Sequence, residues 1–353
     1  MTGQKQSKTD KTGIQLVGFS LAILLFPLFA RQVSFFEHYV DVMVFVGINS
    51  LITMGLCLLM GYAGQISLGH ASFFGLGAYI SGVATTRYGM DPWGCVLVGV
   101  FVSAGVALVI GGPSLKLRGH YLAMATLAFC IIVTTVFNEN VAITGGPDGL
   151  AFIPGISLFG YPLDSVTKYY YFVWGVVLAV LMVCLNVIRS RVGHALRSIH
   201  DSELAASSVG VNVAKYKVHV FVWSAVMASF AGSLYAHYLN FINPSSFNLF
   251  VSIKLLIMIV LGGMYSLWGG IVGAMLVTFL GYEWLHYFED AEVVVYGLIV
   301  LVIIIFIPGG LASLPEKASR LWTERTDSSL QTEISNASNT LTQSENGSSP
   351  TGS

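Results

Sequence analysis

This sequence predicts an all-α integral membrane protein, a polytopic bundle of about ten transmembrane helices with some of them broken or re-entrant. Three observations lead there. The 353-residue chain is 55% hydrophobic and only 10% charged, against about 25% charged in an ordinary soluble domain. Several apolar runs reach the roughly 20 residues that cross a bilayer as a helix. Hydrocarbon offers the backbone no hydrogen-bond partner, so those runs must satisfy their own N–H and C=O groups as helices rather than as isolated strands. Glycine is frequent, 38 residues in all, as expected where membrane helices approach closely through small residues.

The runs fall in order at 14–30, 40–60, 69–86, 93–112, 121–137, 169–188, 218–239, 249–267, 270–288 and 293–312. Run 14–30 follows Lys5, Lys8 and Lys11 as a signal peptide would, but it is long, contains Pro27 and is followed by no small-x-small cleavage pattern, so it reads as a span. The short joint at Leu267–Gly270 suits a hairpin between its two neighbours. With the N-terminus inside, the inner side receives those three lysines, Lys116, Arg118, Arg189, Arg191, Arg197, Lys215, Lys217, Lys317, Arg320 and Arg325. The outer side receives only Arg31, Arg87 and Lys168. The positive-inside rule therefore selects cytoplasmic N- and C-termini. The chain divides into an N-terminal tail (1–13), a membrane domain (14–312) with a cytoplasmic loop at 189–217 and an external loop at 138–168, and a Ser/Thr-rich tail (313–353). That tail is too polar to offset its ordering entropy and is expected to be disordered; on the cytoplasmic side its sequons at Asn336 and Asn346 are chance matches. Cys57, Cys95, Cys130 and Cys184 lie far apart in apolar runs and read as small buried residues, not as a metal site or disulfide framework. A net charge of −1 gives no sign of nucleic-acid binding.

Two segments carry candidate chemistry. Residues 189–217 form a basic, polar stretch between two apolar runs and hold E-x-A-A-x-x-x-G as Glu203, Ala205, Ala206 and Gly210. Asp201 or Ser202 can cap a short helix there, and Gly210 can terminate it in the left-handed conformation. Glu203 in the first turn suits the helix dipole, and Ala205 with Ala206 allows close approach of another backbone. An ordinary solvated loop with a helical turn would use the same residues. In the second segment, Met60–Ile80, glycine density and the polar groups Gln65, Ser67, His70 and Ser72 predict a bent or re-entrant element whose freed backbone lines a cavity or is buried in protein. Gly61, Gly64, Gln65, Ser67, Gly69 and His70 are the candidate residues of a translocation path, with plain interhelical packing as the alternative.

The E-x-A-A-x-x-x-G pattern resembles the loop by which permease subunits of ABC importers engage their ATPase. Gly61–Tyr79, G-Y-A-G-Q-I-S-L-G-H-A-x-F-F-G-x-G-A-Y, closely resembles the signature of LivM-type permeases of branched-chain amino-acid ABC importers. Further blocks follow in the same order: Lys116–Ala128, Thr144–Leu150, Gly193–Gly210 with Val211, Asn212, Tyr216 and Lys217, then Val260–Met264 with Ser266–Gly269. The resemblance spans roughly residues 40–312 and leaves the extended C-terminal tail outside it. It implies a helical permease of the bacterial cytoplasmic (inner) membrane that moves Leu, Ile or Val between itself and a related LivH-type permease. It also implies two ATPase subunits that bind ATP and Mg, and an extracytoplasmic binding protein. Glu203–Gly210 would then sit in a cleft of an ATPase, and this chain would hold no cofactor of its own.

Other classes fit less well. Ion-coupled secondary transporters place ionisable groups deep in the membrane, whereas Lys254 and Glu283 sit near outer ends of their spans, where they snorkel or pair with each other. An intramembrane hydrolase built on His70 with Ser67 or Ser72 lacks a carboxylate nearby in sequence to orient the histidine. No G-x-x-x-x-G-K-[ST] occurs, so ATP hydrolysis must come from a partner, and no catalytic or metal-binding residue is expected. The external Thr144–Leu150 loop, TGGPDGL, is turn chemistry in which Gly145, Gly146, Asp148 and Gly149 are candidates for binding-protein contact. Related machines carry urea, short amides or other amino acids, which are the alternative cargo.

Overall fold

The computed structural model describes residues 16–27, 37–114, 120–158, 160–283, 292–306 and 310–311. The two tails, the basic residues Lys116 and Arg118, and Glu283's neighbours from 284 to 291 lie outside them. In chain order the helices are α1 (Leu16–Pro27), α2 (Glu37–Leu56), α3 (His70–Tyr88), α4 (Pro92–Ser114), α5 (His120–Glu139), α6 (Val141–Thr144), α7 (Val166–Arg189), α8 (Arg191–Asp201), α9 (Glu203–Ser208), α10 (Val213–Leu239), α11 (Leu249–Gly262), α12 (Leu267–Glu283) and α13 (Glu292–Phe306). Among the described residues five helical stretches are long and apolar enough by themselves to cross a membrane: Tyr39–Tyr62, Pro92–Gly112, Tyr121–Glu139, Val166–Arg189 and Val213–Leu239. Three shorter apolar helices, α1, α11 and α12, accompany them.

Helix α2 is the axis of the bundle. Its apolar window is 94% buried, and α7, α10, α11 and α12 pack around it. A helix that is apolar on every side has no lipid or water face to prefer and goes to the centre. Helices α4, α5 and α7 have only about a third of their windows buried (33%, 28% and 33%) and present Phe101, Val109, Met124, Ile132 and Met182 outward, as helices at the lipid boundary do.

Contacts fix the relative directions. His70 of α3 meets Ser224 of α10, and Ser81 meets His237, so α3 and α10 run the same way. Ser224 also packs on Gly55 of α2, while Tyr238 donates to Asp41, so α2 runs oppositely. The crossing of α3 and α10 is close enough to exclude side chains. A Cβ on Gly77 would lie 1.9 Å from the Ser229 carbonyl oxygen, and one on Gly232 would lie 1.8 Å from that of Phe74. Hydroxyls bind the same seam: Ser233 donates to the Gly77 carbonyl (3.0 Å), and Ser229 donates to that of Gly99 in α4 (3.1 Å). Without a hydrophobic driving force between helices in lipid, such close contacts and hydrogen bonds are what hold a membrane bundle together.

The end where α3 and α10 finish is closed by loops. Leu150–Ala151 (β1) pairs antiparallel with Phe241–Ile242 (β4), and Ser157–Leu158 (β2) with Tyr161–Pro162 (β3). His237 joins this end to the bundle. Its Nδ1 faces the Pro154 carbonyl at 2.7 Å and must be the donor, so Nε2 accepts from Ser81 Oγ at 2.7 Å. The opposite end carries α8 and α9.

One expected boundary is wrong. The α11–α12 hairpin turns at Gly263–Ser266, not at Leu267–Gly270. Gly263 takes φ 117° and ends α11, and the Ser266 hydroxyl accepts from the Gly269 N–H at the start of α12. The run of Leu267 and Trp268 extends the apolar signal beyond the true turn, because hydropathy does not register backbone sign.

Gly232→Leu should overpack the α3–α10 seam and cost about 1–3 kcal/mol or more. Gly175→Leu, where an added Cβ meets nothing within 4 Å, should be neutral. Thermal unfolding of the two variants in the same detergent checks the difference.

Candidate functional site: a hydroxyl-pinned joint beneath a capped basic segment

The joint between α2 and α3 departs from helix gradually. Cys57–Tyr62 continues α2 as a π-helical turn, and residues 63–69 are non-helical before His70 starts α3. Gly64 takes φ +66°, which a Cβ would oppose. The joint is recessed. Its His70 pairs with Ser224, the twelfth residue of α10, which at ~1.5 Å per residue lies about 16 Å along that helix from its start. The chain therefore turns inside the bundle, bent as expected but as a helix–helix connection and not as a separate re-entrant hairpin.

Neighbouring hydroxyls satisfy the freed backbone. Leu68 N–H donates to Thr126 Oγ1 of α5 (3.0 Å) and Ala71 N–H to Ser252 Oγ of α11 (3.1 Å). The imidazole of His70, 1% exposed, bridges Ser67 Oγ at Nδ1 (3.0 Å) and Ser224 Oγ at Nε2 (2.7 Å). Among the described residues no carboxylate takes part, and an imidazole between two hydroxyls is a structural clamp. Gly61 lies against the α11–α12 turn, where a Cβ would come within 1.8 Å of the Met264 carbonyl oxygen, and Gly69 packs on Thr126 and Phe129. Gln65 is buried, and neither its Oε1 nor its Nε2 has a hydrogen-bond partner among the described residues. Gly64 and Ile66 on either side of it are exposed.

The basic segment folds as two capped helices. Ser190 Oγ accepts from Val192 N–H at the start of α8 (3.2 Å), and Ser202 Oγ from Ala205 N–H at the start of α9 (3.3 Å). Gly210, at φ +87°, terminates α9: its N–H reaches the Ser207 carbonyl and the Val211 N–H that of Ala206. These are the paired bonds of a Schellman cap. In α8, Gly193, Leu196 and Ile199 are buried, and their three-residue spacing seats one face on the bundle.

Two expectations about this segment are corrected. Ala206 is 1% exposed and packs inward, so it is not part of a small-residue face offered to a partner. Glu203 forms an ion pair with Lys217, a buried residue of α10, so its carboxylate anchors α9 to this chain. The outward residues are Ala205, Ser207, Ser208 and Gly210, together with two apolar side chains the sequence reading passed over, Leu204 (71% exposed) and Val209 (77%). Two apolar residues flanking a polar loop helix are the signal that would have found them.

The structure brings joint and segment together. The Arg197 guanidinium stands 5.2 Å from the Tyr62 ring centroid, within cation–π range. Tyr62 Oη donates to the Tyr265 carbonyl (3.0 Å), and Tyr265 Oη lies 3.5 Å from His200 Nε2. A Cβ on Gly64 would sit 2.8 Å from His200 Nδ1. Arg197 and His200, one turn apart on α8, thus rest directly on the joint and on the α11–α12 turn. The third predicted set lies at the other end. Gly145, Gly146 and Gly149 adopt positive φ in a tight turn, and Asp148 is exposed on its 3₁₀ helix.

The branched-chain amino acid transport system / permease component family matches residues 38–307, from α2 through α13. The chain belongs to this permease family. It is 30% identical over 305 residues to the high-affinity branched-chain amino acid transport system permease protein LivM of Salmonella typhimurium, covering 80% of this chain and 72% of that protein. It is also 26% identical over 285 residues to LivH of Escherichia coli K12 and over 286 residues to BraD of Pseudomonas aeruginosa, covering 76% of this chain and 92% of each relative. No solved structure matches the chain. Family and apolar helices together make it a multi-pass membrane permease.

Ser224→Val should leave His70 Nε2 buried without a partner at a cost of about 1–3 kcal/mol, whereas Ser224→Thr should retain the bond. Detergent melting curves of the two variants check this.

Proposed function

We propose that this permease is the LivM-type subunit of an ATP-binding-cassette importer that moves leucine, isoleucine and valine across the bacterial inner membrane. The observation that carries the reading is the α8–α9 segment. It is capped at both ends, displays Leu204 and Val209, and rests through Arg197 and His200 on the recessed joint of a LivM-like chain. A small ordered surface with two exposed apolar anchors suits a docking partner, and its contact with the joint supports mechanical transmission into the bundle.

In this reading ten spans place both termini and α8–α9 in the cytoplasm. Two ATPase subunits bind ATP and Mg, and one of them receives Leu204, Ala205, Val209 and Gly210. A LivH-type permease completes the path. The ability of LivM, LivH and BraD all to align with this chain supports a pair built from related halves. An extracytoplasmic binding protein docks at the β1–β4 end, where Asp148 is exposed beside Gly145, Gly146 and Gly149. Gly61, Gly64, Gln65, Ser67, Gly69 and His70 lie at the inner mouth of the path. The amide of Gln65, without a partner among the described residues and set between exposed Gly64 and Ile66, supports that placement, because a buried amide without hydrogen bonds is costly unless water or substrate reaches it. The chain itself performs no catalysis.

Uptake of labelled leucine into proteoliposomes holding the complete transporter should be competed by unlabelled leucine, isoleucine and valine but not by urea; blockade by urea alone would overturn the amino-acid assignment.

Leu204→Asp with Val209→Asp should weaken ATPase association and lower transport about tenfold or more, because truncating a buried interface anchor costs ~2 kcal/mol or more. Ala206→Trp should instead destabilise the permease itself. Copurification of the ATPase with unchanged coupled hydrolysis in the Asp variant would remove α9 from the interface.

A further inference from the structure

A cavity of about 200 Å³ lies within this one chain, lined by α2, α3, α10, α11, α12 and the 3₁₀ turn at Pro244–Phe247. It sits toward the end that carries β1–β4, away from α8 and α9. It is smaller than the ~300–1,000 Å³ that drug-sized ligands occupy, which suits a molecule of amino-acid size. Lys254 supplies its positive charge, with Asn49 and Thr278 on the facing helices. Asn49 Nδ2 donates to Thr278 Oγ1 at 3.0 Å. Ser246, Tyr235 and Tyr282 also line the cavity, and the aliphatic part of the wall includes Ile48, Leu255 and Met258.

Two features show that the chain makes room for these groups. Between Val40 and Gly61 every residue of the central α2 and its π-helical turn is buried except Asp41 and Asn49. Those two polar positions, eight residues apart, share one face of the helix. Gly281 opens space for the lysine head: a Cβ there would lie 3.2 Å from Lys254 Nζ and 2.8 Å from Tyr296 Oη. The ammonium stands 5.3 Å from the Tyr296 ring centroid. Lys254 is the sixth residue of α11, near the end of that helix that adjoins the Pro244–Phe247 turn.

We propose that this cavity receives the amino acid on its way through the permease, the substrate carboxylate on Lys254 beside Asn49 and Thr278 and its aliphatic side chain against Ile48, Leu255 and Met258. The proposal rests on the amino-acid reading above and adds the part of this chain that recognises the cargo. An ammonium, an amide and a hydroxyl lining one cavity match a carboxylate by charge-assisted hydrogen bonds, and the aliphatic part of the wall suits leucine, isoleucine and valine. Urea, which has no carboxylate, gains nothing from Lys254.

The test uses proteoliposomes holding the complete transporter with its binding protein. Lys254→Met should lower leucine uptake about tenfold or more with all subunits still copurifying, since a hydrogen bond to a charged group contributes ~1.5–3 kcal/mol; Lys254→Arg should retain more uptake than Lys254→Met. Met258→Phe narrows the apolar wall and should raise the valine-to-leucine uptake ratio about threefold or more, as a methylene-sized difference in a pocket discriminates by ~1–3 kcal/mol. If Lys254→Met fails to assemble, Asn49→Cys decides. With Cys57, Cys95, Cys130 and Cys184 replaced by serine, its labelling by a membrane-impermeant thiol reagent should slow when leucine-loaded binding protein is added. Wild-type leucine uptake in Lys254→Met, an unmoved valine-to-leucine ratio in Met258→Phe, or Asn49→Cys labelling indifferent to leucine overturns the site. A wild-type transporter that carries no leucine overturns the amino-acid reading instead, so the two failures are distinct.

Discussion

A helix interrupted inside a bundle must have its freed backbone groups satisfied by protein, because hydrocarbon supplies no partners. The joint between α2 and α3 is organised around that constraint. Its amides go to Thr126 of α5 and Ser252 of α11, and His70 extends the same network to Ser224 of α10. Each of those hydroxyls fixes a different helix relative to the break. Moving any of the three helices would strand a buried donor or acceptor, so the arrangement of the bundle and the position of the joint determine one another.

Around that point the bundle packs by close approach. The α3–α10 seam brings the backbones together at Gly77 and Gly232 and adds Ser233 as a hydrogen-bond donor to Gly77, while Ser229 donates to Gly99 of the adjoining α4. This seam and the joint share α10, the helix that also carries Lys217 at its start and His237 near its end. Lys217 secures α9, and His237 secures the loop at Pro154. One long helix thereby ties the two ends of the molecule to the same core. A displacement of α9 has a short physical route inward, through the ion pair to α10 and through His200 and Arg197 to the joint.

The site residues differ in how far sequence could reveal them. Ser202 and Gly210 were legible as a cap and a terminator because capping is local chemistry, confined to one turn of backbone. The glycines and polar groups of 61–70 were legible as a bent or closely packed element, because so dense a set of small and polar residues inside an apolar run suits a break or a close helix contact; which of the two it is was not in the pattern. Arg197, Tyr62 and Tyr265 were not legible as a cluster. They come from three segments, and no periodicity links them. Ala206 and Glu203 show the same limit in reverse, since the pattern marks them as a unit with Ala205 but cannot say which side of a short helix faces home.

Composition and hydropathy by themselves determined that this chain is helical and lives in a membrane, because transfer energy depends on residue type and run length alone. Ordered motif blocks determined its family. Tertiary structure alone decided that the break is recessed and hydroxyl-pinned, that α11 turns at Gly263, that Ala206 faces inward while Leu204 and Val209 face out, and that Lys254, Asn49 and Thr278 line one cavity. Each of these depends on which side of a helix meets which neighbour. That is set by close packing among segments far apart in the chain, and a linear pattern carries no record of it.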